Sequence, residues 1–487
     1  MKDLLIPYSQ PLKELAKTGS DSVLSVNAAI LLNKYLDSIE ESELLQLLIP
    51  PTNEMFTEGG IVKLASNIKA IPDEEEEFGK QVIREVVSAD FISKFIEQYD
   101  SNTEEVYRRN LTYVLRRVAC LGDKAVISSL VKSGVIKHLI TTCEHCTDSE
   151  VMCNISVTLQ NIAYDNGDLS HVDHLVEEGV LTLISKLLQK WSEDDTVMVR
   201  LLVTLQYITC NRKDIKELIA NSTEYGNIPL LLQELLETAS SDSVIVETID
   251  VIRNLVVGTD VLHTVFLHAS FFTTAFRHLQ STTLNSDSKQ YLLCGIICTL
   301  ANKNTDKMKD LLIPYSQPLK EFAKTGSDSV LSVNAAILLN KYLGSIEESE
   351  LLQLLIPPTN EMFTEGGIVK LASNIKAIPD EEEEFEKQVI REVVSADFIS
   401  KFSEQYDSNT EEVYRRNLTY VISRVAYLGD KAVISSLVKS GVMKHLITTC
   451  ELCTDSEVMC NISATLSSLH TIKVISHMLT TLLRREF

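Results

Sequence analysis

The chain contains a large internal duplication, because residues 1–159 return almost unchanged as residues 308–466. The two copies align without a gap and differ at ten positions. A finer period of roughly 40–47 residues runs through the sequence and is typical of stacked helical repeats. In such an array each repeat packs only on its neighbours, so the 487 residues need not divide into separate globular cores. The differences between the copies include Leu15/Phe322, Asp37/Gly344, Gly79/Glu386, Ile96/Ser403, Arg116/Ser423, Cys120/Tyr427 and His145/Leu452.

The duplication predicts three segments along the chain. We expect a helical array over 1–307, a partial second copy over 308–466 and a divergent tail over 467–487. Met308 lies inside the repeat series, whereas Met1 occupies the same place with no repeat before it. We therefore expect the chain to be a fragment, an isoform or an imperfect gene model of a longer array, with apolar surface exposed on its first helices.

Paired helices are predicted within each repeat. Gly134 and Val135 begin an amphipathic helix, and the polar run 147–150 supplies capping residues for a second helix. The second helix is apolar on more than one face, so it must be buried between neighbouring pairs. No alternating pattern of strands and hairpin turns is present, so the sequence predicts a nearly all-helical protein. The same plan recurs at Gly179–Thr209, Gly226–Val257 and Phe271–Leu300.

Two features interrupt the period. The proline pairs Pro50-Pro51 and Pro357-Pro358 each predict the end of a helix, because proline lacks the backbone N–H and clashes with the preceding turn. The acidic run Pro72–Glu77 and its copy Pro379–Glu384 predict a solvated loop, with docking of a basic tail as the alternative.

The charge balance limits the class of partner. The chain has 68 Asp and Glu residues against 45 Lys and Arg, which gives a net charge of −23. This charge argues against nucleic acid and favours basic proteins or basic tails. The sequence shows neither a signal peptide nor an apolar run long enough to span a membrane. The ten cysteines are therefore predicted to be reduced thiols of a cytoplasmic or nuclear protein.

No catalytic constellation is found in the sequence. Glycine-rich phosphate loops, nucleophile elbows and zinc-protease motifs are absent. Cys143, Cys146 and Cys153, with His138 and His145 nearby, have a spacing that suggests zinc. Their predicted location on helices and the loss of His145 in the second copy favour free thiols instead. We expect a protein that is not an enzyme and has no cofactor, metal or catalytic site.

Several segments resemble the armadillo repeat. Gly134–Ile140, Asp148–Val151 and Ser156–Ala163 carry its glycine–apolar helix start and its closing Leu-x-Asn-Ile-Ala pattern. Similar residues occur at Glu178–Leu188 and Val251–Leu255. The resemblance implies an all-α fold, a right-handed α-solenoid of armadillo or HEAT type with about 11 repeats. It also implies a concave face lined by the last helix of each repeat.

The resemblance suggests which residues contact a partner. Nuclear-import armadillo proteins carry Trp and Asn at fixed places on the last helix, and here the Asn place holds Asn161 and Asn254 but Tyr207 and Arg117 elsewhere. Catenin-like grooves are basic, which the net charge of this chain does not match. The candidate partner-binding residues are Tyr113, Arg117, Asn161, Asp165, Tyr207, Asn254, Tyr420 and Arg424.

A narrower resemblance is to the armadillo-type GDP dissociation stimulators of small GTPases. Val131–Leu139, Asn161–Asp165 and Phe56–Gly60 are similar to stretches of that family. This resemblance implies an acidic protein that binds a small GTPase with a basic, prenylated C-terminal tail and promotes GDP release. The alternative is a general armadillo scaffold or adaptor with no effect on nucleotide exchange.

Overall fold

A computed structural model describes residues 6–18, 22–35, 41–88, 90–164, 169–221, 225, 227–257, 259, 262–281, 287–301, 305–325, 329–343, 352, 355–379, 382–395, 397–408, 411–442, 445–447 and 455–470. Within these ranges the regular structure is helical, without strands. The helices of the first part are α1 (Ser9–Thr18), α2 (Ser22–Tyr35), α3 (Glu41–Leu48), α4 (Thr52–Met55), α5 (Glu58–Ala70), α6 (Glu76–Ser88), α7 (Phe91–Ser101), α8 (Glu105–Leu121), α9 (Lys124–Lys132), α10 (Val135–His145), α11 (Ser149–Tyr164), α12 (Leu169–Glu177), α13 (Val180–Lys190), α14 (Asp195–Thr209), α15 (Lys213–Asn221), α16 (Ile228–Thr238), α17 (Asp242–Val256) and α18 (His263–Phe266). Those that follow are α19 (Ala269–Gln280), α20 (Asp287–Ala301), α21 (Thr305–Leu312), α22 (Ser316–Thr325), α23 (Ser329–Leu338), α24 (Thr359–Met362), α25 (Glu365–Lys376), α26 (Glu383–Ser395), α27 (Phe398–Ser408), α28 (Glu412–Leu428), α29 (Lys431–Lys439) and α30 (Ser456–His470).

Local sequence signals explain where these helices begin. Asp194 caps α14, because its carboxylate accepts a hydrogen bond from the backbone N–H of Val197 at 3.1 Å. Thr57 caps α5 in the same way by accepting from the N–H of Gly60. Gly134 and Gly179 precede α10 and α13 with φ of 81° and 91°, a conformation that costs glycine little. The glycine–apolar starts of the sequence therefore mark sharp entries into helices.

The chain forms two compact units, Met1–Val265 and Phe266–Phe487. In the first unit, the long helices α2, α5, α8, α11, α14 and α17 pack side by side in that order and form a layer that we call the first ridge. Helices α7, α10, α13 and α16 pack on one another in a second series. In the second unit, α20, α23, α25, α28 and α30 pack in order and form the second ridge.

The ridge helices are held by buried apolar side chains on several faces. Leu159 of α11, Leu205 of α14 and Leu255 of α17 are each at most 3% exposed. Burying a leucine of this kind contributes about 2 kcal/mol relative to an exposed one. Because each ridge helix needs a neighbour on both sides to achieve this burial, the helix pairs stack in series.

The predicted fold class, an all-α solenoid of armadillo or HEAT type, is confirmed. The helix pair predicted over Gly179–Thr209 consists of α13 and α14. The prediction of a loop over Pro72–Glu77 is wrong. Asp73–Glu75 form a 3₁₀ turn, and Glu76 and Glu77 begin α6. Carboxylates in the first turn of a helix are stabilised by its positive N-terminal dipole, so an acidic run can start a helix. The repeat number of about 11 stays a prediction.

None of the helices in the described residues has the length and apolarity needed to cross a membrane.

Candidate functional site

Four of the predicted partner-binding residues lie at equivalent places on four consecutive helices of the first ridge. Arg117, Asn161, Tyr207 and Asn254 lie near the C-terminal ends of α8, α11, α14 and α17, at intervals of 44, 46 and 47 residues. All four are half-buried. We call this row the stripe. The repeat register therefore brings together residues that are about 45 positions apart in sequence.

Arg117 and its counterpart Arg424 differ sharply in their surroundings. In the second copy, Arg424 Nε and Nη2 donate to the two carboxylate oxygens of Glu386 at 2.7 and 2.6 Å. In the first copy, glycine occupies the position of Glu386, and the buried Nε of Arg117 has no hydrogen-bond partner among the described residues. The hydrogen bond to Glu386 raises the pKa of Arg424. The equivalent arginines therefore differ: Arg424 forms an ion pair with a carboxylate, and Arg117 does not.

A tyrosine and a lysine form the same contact in both copies. Tyr113 of α8 lies one turn before Arg117, and Lys69 Nζ is 4.6 Å from its ring centre. Lys376 Nζ is 4.7 Å from the ring of Tyr420 in α28. Burial raises the pKa of Tyr113, and the positive charges of Arg117 and Arg116 oppose that rise. Tyr113 and Tyr420 each offer an aromatic face beside a cationic group.

Asn254 is engaged within the ridge. Its amide nitrogen donates to the carbonyl oxygen of Gln206 at 2.9 Å and to Thr209 Oγ1 at 3.1 Å, which ties α17 to α14. Asn154 in α11 makes a similar bridge to α8, donating to the Arg109 carbonyl and to Thr112 Oγ1 at 3.3 Å each. The amides of such asparagines therefore hold neighbouring ridge helices in register.

Asn161 and Tyr207 form the middle of the stripe. The buried amide nitrogen of Asn161 has no hydrogen-bond partner among the described residues. Tyr207 packs edge-on against Tyr164, with ring centres 5.2 Å apart. Tyr164 is 54% exposed, so this aromatic pair borders solvent. Asp165, the remaining candidate, lies outside the described residues.

Two carboxylates that the sequence analysis did not select give the last helix of the stripe a negative charge. Asp250 lies one turn before Asn254, in the position that Tyr113 occupies relative to Arg117, and Glu247 precedes it by three residues. Burial raises the pKa of both carboxyl groups, and for Glu247 the charge of Asp250 adds to the rise. The sequence could have identified Asp250, because it lies four residues before Asn254 just as Tyr113 lies four residues before Arg117.

The cysteine cluster does not form a metal centre among the described residues. Cys143 is fully buried in α10, and burial strongly raises the pKa of its thiol. Burial also raises the pKa of the thiols of Cys146 and Cys153. Raised pKa values oppose the thiolate form that both zinc binding and nucleophilic attack require.

Alkylation of the native protein with iodoacetamide is expected to label Cys120 and Cys210, which are exposed, at least about tenfold faster than Cys143. Peptide mass spectrometry after short reaction times measures this ratio. Equal rates at the three cysteines would show that the packing around α10 opens readily. Labelling in urea serves as the control, because unfolding should make the rates converge.

Comparisons with known proteins show the fold alone. No protein-family model matches the chain, and neither does any curated protein sequence. An engineered protein solved by the Northeast Structural Genomics Consortium is similar with a TM-score of 0.50 and 18% identity, over 95% of this chain and 98% of that one. A computationally designed armadillo repeat protein for modular peptide recognition matches 52% of this chain and 99% of its own length, with a TM-score of 0.43 and 22% identity. A designed armadillo repeat protein in complex with the peptide (KR)4 covers the same shares, with a TM-score of 0.42 and 21% identity.

Proposed function

We propose that this chain is a non-enzymatic protein-binding solenoid, and that a segment of its partner crosses the stripe. The observation that carries the proposal is the row of half-buried polar residues in the same register on four consecutive helices. Two of them, Arg117 and Asn161, keep a buried nitrogen without a hydrogen-bond partner among the described residues. Such groups gain free energy when a ligand supplies acceptors.

The dimensions of the stripe suit an extended peptide. Packed helices lie about 8–10 Å apart, so four consecutive helices span roughly 24–30 Å. An extended chain covers about 3.3 Å per residue, so a partner segment of roughly seven to nine residues reaches from α8 to α17. The Tyr207–Tyr164 pair offers apolar area near the middle of this path.

The acidic end of the stripe favours a basic segment there. Glu247 and Asp250 are half-buried, so a Lys or Arg side chain of the partner would meet them in a partly desolvated place. The net charge of −23 would add long-range attraction at low salt.

The narrower form of the proposal is a GDP dissociation stimulator for a small GTPase with a basic, prenylated tail. The resemblance of Val131–Leu139 and Asn161–Asp165 to that family supports it, together with the acidic end of the stripe. In this form the protein would stabilise the nucleotide-free GTPase through a coupling free energy between partner and nucleotide. The alternative is an adaptor that binds a protein segment and leaves nucleotide exchange unchanged.

Release of fluorescent GDP from a panel of small GTPases with basic tails distinguishes the two forms. Accelerated release that weakens with added salt supports the stimulator. Binding to a GTPase without acceleration supports the adaptor. If no member of the panel binds, the GTPase form of the proposal is wrong.

The double substitution Glu247→Gln/Asp250→Asn is expected to weaken binding of a labelled basic peptide, such as octa-arginine, by roughly tenfold, because it removes two partly desolvated negative charges. Fluorescence anisotropy measures the affinity. Glu234→Gln is the matched control, since Glu234 is exposed on α16 and away from the stripe. Equal affinities for the double variant and the control would place the basic segment elsewhere.

The same double variant is expected to be slightly more stable than the parent at neutral pH. Burial raises the pKa of both carboxyl groups, so each charged form opposes folding at pH 7 and this cost disappears as the pH falls through the raised pKa. The melting temperature should rise by a few degrees or less at pH 7, and the difference should shrink toward pH 4. A lower melting temperature at pH 7 would contradict this account.

A further inference from the structure

Three of the ten differences between the two copies lie around one arginine. Gly79, Arg116 and Cys120 in the first copy become Glu386, Ser423 and Tyr427 in the second. The arginine itself is kept as Arg117 and Arg424. These positions lie on α6 and α8, and on α26 and α28, which pack together within each unit. These three differences therefore change the surroundings of one arginine that both copies keep.

The second copy shows what Arg424 binds. Glu386 is 4% exposed, and its carboxylate makes a bidentate pair with the arginine at 2.6 and 2.7 Å. The ring of Tyr427 lies 5.1 Å from the centre of the guanidinium. The bidentate arrangement is the strongest that arginine makes with a carboxylate. Arg424 is thus already paired with a carboxylate of its own chain.

The first copy lacks this internal ligand. A side chain added at Gly79 would first meet only side-chain atoms, Leu121 Cδ1 at 3.1 Å and Ile71 Cγ2 at 3.8 Å. Among the described residues, no carboxylate forms an ion pair with Arg117, and its Nε is buried and unpartnered. The exposed Cys120 replaces the large ring that stands beside Arg424.

The remaining difference makes the first copy more positive. Arg116 replaces Ser423, and its guanidinium lies 5.9 Å from the ring centre of Tyr113. Lys69 is on the same ring at 4.6 Å. The carboxylate of Glu150 lies 3.7 Å from Lys69 Nζ and offsets its charge. Arg116 is therefore the positive group that the first copy adds near Arg117, although the protein as a whole is acidic. A local field of this sign selects a negatively charged side chain.

We propose that the guanidinium of Arg117 is a binding site, which we call the socket, for a carboxylate side chain of an acidic segment in a partner protein. Glu386 supplies the same carboxylate from within the chain in the second copy, so only the first copy has an open socket. This inference rests on the stripe as a binding surface but assigns its α8 end to an acidic segment, independently of the basic segment proposed at α17. A partner that crosses the whole stripe would carry both charges.

Titration of the full chain with fluorescein-labelled hexaglutamate, followed by anisotropy at roughly 0.15 M salt, tests the socket. We expect one binding site per chain, and Gly79→Glu should weaken binding at least about tenfold because it supplies the internal carboxylate. The variant is expected to fold, since the same ion pair exists in the second copy, and circular dichroism checks this. Unchanged affinity in Gly79→Glu, or no binding by the parent chain, would overturn the proposal.

A second variant tests the gain of a site. Glu386→Gly/Ser423→Arg/Tyr427→Cys gives the second copy the residues of the first, and two hexaglutamate sites per chain are expected. Stoichiometry that stays at one would contradict the proposal.

The affinity for labelled hexalysine should be the same for the parent chain and both variants. A change in that affinity would show that the effect is not recognition of a carboxylate. Inorganic phosphate at millimolar concentration should not displace the peptide; full displacement would show a general anion site instead. Because the result depends on hexaglutamate binding and not on octa-arginine binding or GDP release, this experiment can fail while the proposed function holds.

Discussion

Replacing Gly60 with alanine is expected to destabilise the first unit by roughly 3 kcal/mol. A methyl group at Gly60 would lie 1.9 Å from the carbonyl oxygen of Glu54 and 2.8 Å from its carbon, both of which are backbone atoms. Rotation of a side chain cannot relieve this overlap, so α4 and α5 must move apart. The movement would also weaken the cap in which the Gly60 N–H donates to Thr57 Oγ1 at 3.1 Å.

Gly59→Ala is the matched control for this prediction. Gly59 is the neighbouring residue in the same helix, and a methyl group there would meet no atom within 4 Å. Alanine is favoured over glycine in a helix by up to about 1 kcal/mol, so this variant should be unchanged or slightly more stable. Urea denaturation gives the free energies, and hydrogen exchange in α5 locates the effect. Similar stabilities for the two variants would show that the junction of α4 and α5 adapts.

Arg424→Ala is expected to destabilise the second unit by about 3 kcal/mol, whereas Arg117→Ala should change the first by less than about 1 kcal/mol. The two effects differ because only the first substitution leaves a buried carboxylate without its ion-pair partner. Removing Arg424 leaves the carboxylate of Glu386, which is 4% exposed, without its bidentate donor. Removing Arg117 leaves glycine at the corresponding place, so no buried charge is stranded.

A double-mutant cycle measures the interaction between Arg424 and Glu386 directly. The variant Arg424→Ala/Glu386→Gly removes both charges, and we expect it to recover much of the stability lost in Arg424→Ala alone. Urea denaturation of the full chain, with hydrogen exchange in α28 as the local probe, supplies the four free energies. If the two substitutions are additive, the carboxylate is not stabilised by this arginine.

The sequence was sufficient to predict the helix pairs, because their signals are local. Glycine–apolar starts such as Gly134-Val135 and polar breaks such as 192–195 coincide with helix starts at Val135 and Asp195. The end of α23 was not predictable from local sequence. Ser22–Tyr35 is entirely α-helical, whereas the same sequence in the second copy ends in a π-helical turn at Leu339–Leu343. The identical residues therefore do not determine this geometry by themselves.

The stripe could be predicted because the repeat register alone defines it. The repeat pattern thus predicts Arg117 and Arg424 on the last helix of a repeat, and these helices are α8 and α28. The pairing of Arg424 with Glu386 was not predictable from the sequence, since the two residues are 38 positions apart and their approach depends on how α26 packs on α28. The exchange of glycine for glutamate between the copies was visible in the sequence. That the new glutamate pairs with Arg424 became evident only from the distance between the two side chains in the structure.

The near identity of α2 and α23 has a consequence for folding during synthesis. Helix α20 packs on α23, in which Leu331 is only 1% exposed, whereas the equivalent Leu24 in α2 is 51% exposed. Residues 22–36 and 329–343 are identical, so α2 offers α20 the same sequence before α23 has left the ribosome. A nascent chain folds from its N-terminus, so α20 meets the competing surface first. We therefore expect α2 to compete with α23 for α20 during synthesis, because the correct partner of α20 is made later.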